Sequence, residues 1–208
     1  MRSMSTPYAA SPAPAAVATA GKTRVGVVWL GSMGAAIAGN LASAGFATVL
    51  LDRDLRKAER AARGDAIATN DWQDFADCEF VITMLPGDGA VLDVALQLSN
   101  VLPTYAVHVS MSTIGGETAR ELADLHHALG QQYVSAPVLG NPRLAASRDL
   151  LVLAAADSET LERCMPLLEC LGRHVVVIGE HAEEANRIQL VIDHTPEVAA
   201  LETGHATI

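Results

Sequence analysis

Residues 25–34, VGVVWLGSMG, leave few folds open to this chain. Positions 25–30 form a continuous, β-branched apolar run, which reads as a strand buried on both faces. A glycine-bearing turn follows. Small residues from 33 to 44 then read as a helix, with Gly45 where a helix stop belongs. A buried strand that runs straight into a helix belongs to a parallel sheet, because parallel neighbours need a crossover connection. The rest of the chain keeps this rhythm. Strands are expected at 48–51, 66–68, 79–84, 106–110, 133–135, 150–154 and 174–178, and helices at 55–63, 90–98, 117–129, 158–171 and from 182 to 192. The expected fold class is α/β: a Rossmann-type, doubly wound, mostly parallel sheet, followed by the start of a C-terminal helical segment.

The same ten residues carry a chemistry. In a strand–turn–helix unit the first helical amides point at the turn, and the helix dipole favours an anion there. Gly31 lets the backbone approach a pyrophosphate, and Gly34, with Ala35 and Ala38, lets the helix pack closely on the strands. The full G-x-G-x-x-G pattern has a further glycine at the tight turn, where this chain has Trp29. An indole there is expected to crowd the ligand or shift the backbone. Asp52 ends the second strand, 21 residues after Gly31. A carboxylate at that spacing accepts hydrogen bonds from an adenosine ribose. Arg53, next along, suits a 2′-phosphate or the face of adenine. The cofactor expected is NAD or NADP, with a lean toward NAD because Asp52 opposes a 2′-phosphate.

Composition narrows the partners. With 24 acidic against 14 basic residues the formal net charge is −10, which repels phosphate backbones and anionic lipid. No nucleic-acid or membrane partner is expected, and no apolar run reaches the roughly 20 residues of a membrane span. Cys78, Cys164 and Cys170 show neither metal nor redox spacing, which fits a reduced cytoplasm. His126 and His127 read as a solvated helix end. His174, His181, His194 and His205 have no partner at ligand spacing, so no metal site is expected. Residues 1–21, rich in Ala, Pro and Ser, read as a disordered tail rather than a signal peptide. Residues 22–180 read as the dinucleotide-binding domain and 181–208 as a helical segment.

Four ordered segments resemble the β-hydroxyacid dehydrogenase family, the 3-hydroxyisobutyrate and 6-phosphogluconate dehydrogenase-like oxidoreductases with their imine reductase relatives. The family's G-L-G-x-M-G-x-x-x-A-x-N-L meets W-L-G-S-M-G-A-A-I-A-G-N-L, from Trp29 to Leu41. VITMLPGDGAV, from Val81, resembles its cofactor-contacting strand and loop. VSMSTIGG, from Val109, is similar to its D-x-S-T substrate segment, with Ser110 where Asp is frequent. SAPVLGNP, from Ser135, resembles A-P-V-S-G-G. The resemblance implies cofactor contacts from Leu30, Gly31, Ser32, Met33, Gly34, Asp52, Arg53, Leu85 and Pro86. It implies substrate contacts from Ser112, Thr113, Gly140 and Asn141.

The family's helix pattern A-N-x-x-K-L-x-x-N meets A-N-R-I-Q-L-V-I-D from Ala185, so Gln189 takes the place of the catalytic lysine. A lysine there gives a proton to the forming alkoxide; a glutamine amide donates a hydrogen bond only. The resemblance also implies a further all-helical domain that closes the substrate pocket and is not in this sequence. The implied activity is hydride transfer between a nicotinamide and a small hydroxy acid, semialdehyde or imine, weak or absent in this chain alone. The alternative is a non-catalytic dinucleotide-binding protein or a truncated pseudoenzyme. Ile188, Leu190, Val191, Ile192, Val198 and Leu201 are expected to form an apolar patch, and with it a homodimer through the C-terminal helix.

Overall fold

The computed structural model describes residues 23–194; the expected tail at 1–21, the turn at Thr195 and Pro196, and Val198, Leu201 and His205 lie outside the described residues. Among the described residues nine strands form one sheet. They are β1 (Arg24–Val28), β2 (Ala47–Leu51), β3 (Ile67–Thr69), β4 (Phe80–Thr83), β5 (Val107–Ser110), β6 (Gln132–Ser135), β7 (Val138–Leu139), β8 (Leu150–Ala155) and β9 (Gly172–Gly179). The first six run parallel in the order β3-β2-β1-β4-β5-β6, the doubly wound arrangement. The order reverses between β1 and β4, and ligands of such sheets bind outside the strand ends at that point. β8 runs antiparallel to β6 and β7, and β9 pairs with it in parallel as an edge.

Among the described residues seven helices cover the sheet: α1 (Ser32–Ser43), α2 (Leu55–Ala61), α3 (Asp88–Val101), α4 (Gly116–Ala128), α5 (Pro142–Ala146), α6 (Ser158–Leu168) and α7 (Ala182–Asp193). A 3-10 turn at Trp72–Phe75 precedes β4. The expected strands and helices all appear, with ends moved by a few residues. The 3-10 turn, β7 and α5 were not expected. β7 lies within the segment SAPVLGNP and α5 starts at its last residue, Pro142; two prolines and two very short elements hide any periodicity there. Asn141 caps α5 by accepting from the Arg143 and Leu144 amides, and Pro142 supplies the first helical residue.

The central strands are buried on both faces, as the apolar run at β1 required. Ile37, Leu41, Leu50, Ile82, Val109 and Val134 belong to one core cluster between the sheet and α1. α7 packs against α4, β6 and β8, with Ala185 in a small cluster beside Leu153 and Ala155. That docking carries Asn186 and Gln189 to the C-terminal edge of the strands. Among the described residues no helix is long and apolar enough to cross a membrane.

One histidine reading is overturned. His126 is fully buried, not solvated. It shares one α4 stripe with Ala119 and Leu122, at the i, i+3, i+7 spacing that turns side chains inward. His127 is exposed, as expected.

Candidate dinucleotide site

The turn after β1 keeps a glycine's backbone without the glycine. Trp29 sits at φ 75°, in the left-handed region. For a non-glycine residue this costs about 1–2 kcal/mol. Gly34 shows why the turn cannot relax: a Cβ built there would lie 2.0 Å from the Trp29 carbonyl oxygen. The backbone at Trp29 is therefore a tight left-handed turn closed against Gly34. Gly31 caps α1 in extended backbone, with no side-chain cap hydrogen bond. Ser32 is exposed at the first helical position, and Met33 is half-buried against the core.

Asp52 braces this turn. One carboxylate oxygen accepts the Leu30 amide at 2.9 Å and the other accepts the Asp54 amide at 3.0 Å. Asp52 is only 4 % exposed, so its charge is held by backbone donors inside the turn, with Lys57 Nζ 3.9 Å away. Arg53 and Lys57 are exposed and converge on the Trp29 ring, at 5.3 and 6.0 Å from its centroid. Lys57 was missed in the sequence, although it lies one helical turn beyond Arg53.

The neighbouring strand ends are tied into the same edge. The Leu85 amide donates to Ser112 Oγ at 2.8 Å, joining the loop after β4 to the loop after β5. Pro86 is exposed beside it, at the start of the turn into α3. Asp88 accepts the Gly115 amide at 2.8 Å, and hydrogen bonds from the Thr118 hydroxyl and that amide hold its carboxyl below the usual carboxylate range.

α7 closes the substrate side. Gln189 is 2 % exposed; its Nε2 donates to Thr113 Oγ1 at 2.7 Å and to the Val138 carbonyl at 3.2 Å. The Val138 oxygen can only accept, which fixes which end of the amide faces it. Asn186 Nδ2 donates to the Ser112 carbonyl, and its Oδ1 accepts from the Ser135 hydroxyl. Of the substrate-side residues expected, Thr113 is exposed beside Gln189. Ser112 is fully buried, and its hydroxyl serves Leu85. Asn141 is occupied as the α5 cap, and Gly140, at φ 146°, faces Leu150 and Leu144. Ser135 and Asn186 were not among the expected site residues. Among the described residues no group of three or more metal-ligating side chains converges.

Residues 24–179 match the model of the NAD binding domain of 6-phosphogluconate dehydrogenase. An uncharacterized oxidoreductase, YfjR, from Bacillus subtilis is 33 % identical over 174 residues, covering 82 % of this chain. The chain spans 61 % of that relative's length. The structure of a 3-hydroxyisobutyrate dehydrogenase from Mycobacterium tuberculosis superposes with a TM-score of 0.76 at 26 % identity, over 89 % of this chain and 67 % of that one. An imine reductase variant from Myxococcus stipitatus, in complex with NAD+, shares the fold with a TM-score of 0.79 at 16 % identity, over 89 % and 64 %. The turn backbone, the bare Gly31 and the exposed cations beside it fit NAD or NADP. With the strand order, the braced turn and the matched 156-residue span in agreement (24 to 179 inclusive), the chain belongs to the 6-phosphogluconate dehydrogenase-like family of NAD(P)-binding oxidoreductase domains.

Proposed function

We propose that this chain is the dinucleotide-binding part of an oxidoreductase acting on a small hydroxy acid, semialdehyde or imine, and that it favours NADP over NAD. The observation that carries the cofactor choice is the commitment of Asp52. Its carboxylate is engaged by two backbone amides, while Arg53 and Lys57 stand exposed on the ring beside it. Two outward cations against one inward anion suit a 2′-phosphate, reversing the lean toward NAD drawn from spacing alone. When bound, the nicotinamide supplies or takes the hydride. Leu30 to Gly34 hold the phosphates, Leu85 and Pro86 flank them, and Thr113 orients the substrate's polar end.

Gln189 supports slow chemistry in the 208-residue chain. Both of its amide hydrogens are spent on Thr113 and Val138, and an amide gives up no proton at neutral pH. The loss of a general acid typically costs about 10²–10⁴ in rate. The same commitment favours a second reading, a dinucleotide-binding protein without turnover. Calorimetric titration with NADP+ and NAD+, then NADPH oxidation over a panel of small aldehydes, keto acids and imines, tests both. Tighter NADP+ binding with turnover far below about 10 s⁻¹, the usual enzyme median, is expected. Tighter NAD+ binding would reject the cofactor choice, and turnover near that median would reject the slow chemistry.

The proposal extends to assembly and compartment. Val176 and Val177 on β9 and Ile188 on α7 are exposed apolar side chains on packed neighbours, which supports a second copy of this chain covering them. Three buried free thiols, with Cys78 and Cys164 pushed up to about 12 by burial, support a reducing compartment such as the cytoplasm.

A further inference from the structure

The space above Gly31 has one neighbour. A Cβ built on Gly31 would meet Trp29 Nε1 at 3.5 Å and Trp29 Cδ1 at 3.7 Å, and apart from its chain neighbours no other atom of the described residues comes within 4 Å. Gly31 is the position where the backbone comes closest to a dinucleotide pyrophosphate, so its missing Cβ points to the anion's side. The indole does not fill that space. Its pyrrole edge, with the N–H, stands beside it. An indole nitrogen donates and cannot accept, and Trp29 Nε1 has no hydrogen-bond partner among the described residues. Arg53 and Lys57 lie over the ring. The left-handed backbone at Trp29 puts the side chain there while leaving the phosphate cradle's path intact.

We infer that Trp29 Nε1 donates a hydrogen bond to the pyrophosphate of the bound dinucleotide, adding a side-chain donor where the family's turn has only glycine. Trp29 then works with Arg53 and Lys57 as one anion-facing cluster: the cations fix the ring, and the ring's edge meets the phosphate. The inference rests on the dinucleotide reading of this site and goes beyond it by assigning a contact to a residue that the family pattern marks only as a departure.

The test uses the 208-residue protein labelled with ¹⁵N. It has two indole N–H signals, from Trp29 and from Trp72; the latter packs on Phe75 in the 3-10 turn and serves as the internal control. On titration with NADP+, NAD+ or ADP-ribose, the Trp29 indole proton is expected to move downfield in step with occupancy, while the Trp72 signal stays fixed. Trp29→Phe keeps a ring for the two cations but removes the donor, and is expected to weaken binding by about 10-fold or more, as for a hydrogen bond to a charged group. Trp29→Gly, which relieves the left-handed backbone and so folds readily, is expected to weaken binding as well. A stationary indole signal at saturation overturns the inference. So does a Phe or Gly variant that binds as tightly as the parent or tighter, which would show that the indole crowds the site. Backbone amides of Gly31 and Gly34 that stay unmoved at millimolar ligand would sink the dinucleotide reading itself. Movement there with a silent indole sinks this inference alone.

Discussion

The Leu30 amide and the Asp52 carboxylate meet at 2.9 Å across the ends of β1 and β2, so the acid that sequence spacing assigns to the ribose also holds the turn that precedes α1. With the Asp54 amide on its other oxygen, Asp52 supplies acceptors to two donors, the Leu30 one buried and the Asp54 one part-buried.

Asp52→Ala is therefore expected to cost about 1–3 kcal/mol of stability, the penalty for a buried donor left unmet. Asp52→Asn is expected to fall between parent and Ala, because its single amide oxygen serves one of the two N–H groups. Urea denaturation followed by circular dichroism gives the values. An Asp52→Ala protein within about 0.5 kcal/mol of the parent, the usual range for a neutral surface change, would show that the brace carries no energy.

Arg53 and Lys57 are expected to divide their effect differently. Neither is buried, so Arg53→Ala and Lys57→Ala leave stability almost unchanged. The double variant is expected to lose about 10-fold or more of its NADP+ affinity and little of its NAD+ affinity, because charge-assisted contacts to phosphate are the strong ones. The NADP+ loss should shrink as ionic strength rises, since exposed charges are screened beyond a Debye length of about 8 Å at physiological salt. Equal losses for the two dinucleotides in calorimetric titration would assign both side chains to the shared pyrophosphate instead.

Much of this was legible in the chain. The strand–turn–helix at 25–34 announced itself because a phosphate cradle needs a bare backbone at fixed positions, and Asp52 was found by spacing. What the sequence could not show was the direction in which Asp52 spends its oxygens, which depends on an amide 22 residues away. Ser112 likewise looked like a substrate hydroxyl until the Leu85 amide was placed on it. His126 was misread from the polar run His126-His127 at the end of a helix. The Ala119–Leu122–His126 stripe contained the signal for burial. His126's partner His108 lies on β5, and no local pattern joins a helix residue to it.

Arg148 offers a stabilising change. It occupies the position after the α5 cap at φ 60°. Its amide donates to the Ala145 carbonyl, and the Asp149 amide donates to that of Leu144. This is the paired closure that usually carries glycine at the left-handed position. The Arg148 side chain is exposed, so little packing is lost on removing it. Arg148→Gly is expected to raise stability by about 0.5–1 kcal/mol, relief of backbone strain exceeding the added freedom of the unfolded chain. A lower melting temperature for the variant would show that the Arg148 side chain has a stabilising role of its own.

His108 and His126 set the acid limit of the fold. Gln131 Nε2 donates to the Ser99 and Leu102 carbonyls, so its Oε1 must accept and His126 Nδ1, 2.8 Å away, must carry the proton. His126 Nε2 then accepts from His108 Nδ1 at 2.8 Å, and His108 Nε2 accepts from the Thr83 hydroxyl at 2.9 Å. This chain of bonds has both rings neutral; a second proton on His126 would face the His108 Nδ1–H donor, and one on His108 would require the Thr83 hydroxyl to turn round and accept. Burial pushes His108 well below the ordinary imidazole range, with repulsion from His126 adding to it, and burial lowers His126 more than its bond to Gln131 raises it. Because the folded values lie below the unfolded one, near 6.5, the unfolded chain binds more protons and stability falls as pH drops. The two rings' contribution is complete above about pH 6.5 and is lost progressively below it, down to the folded values. The slope approaches about 1.4 kcal/mol per pH unit for each histidine. Urea unfolding between pH 7.5 and 5 should show that loss. A variant carrying His108→Asn and His126→Gln, less stable at neutral pH, should show a shallower dependence over the same window. Equal slopes for parent and double variant would assign the acid sensitivity to other groups.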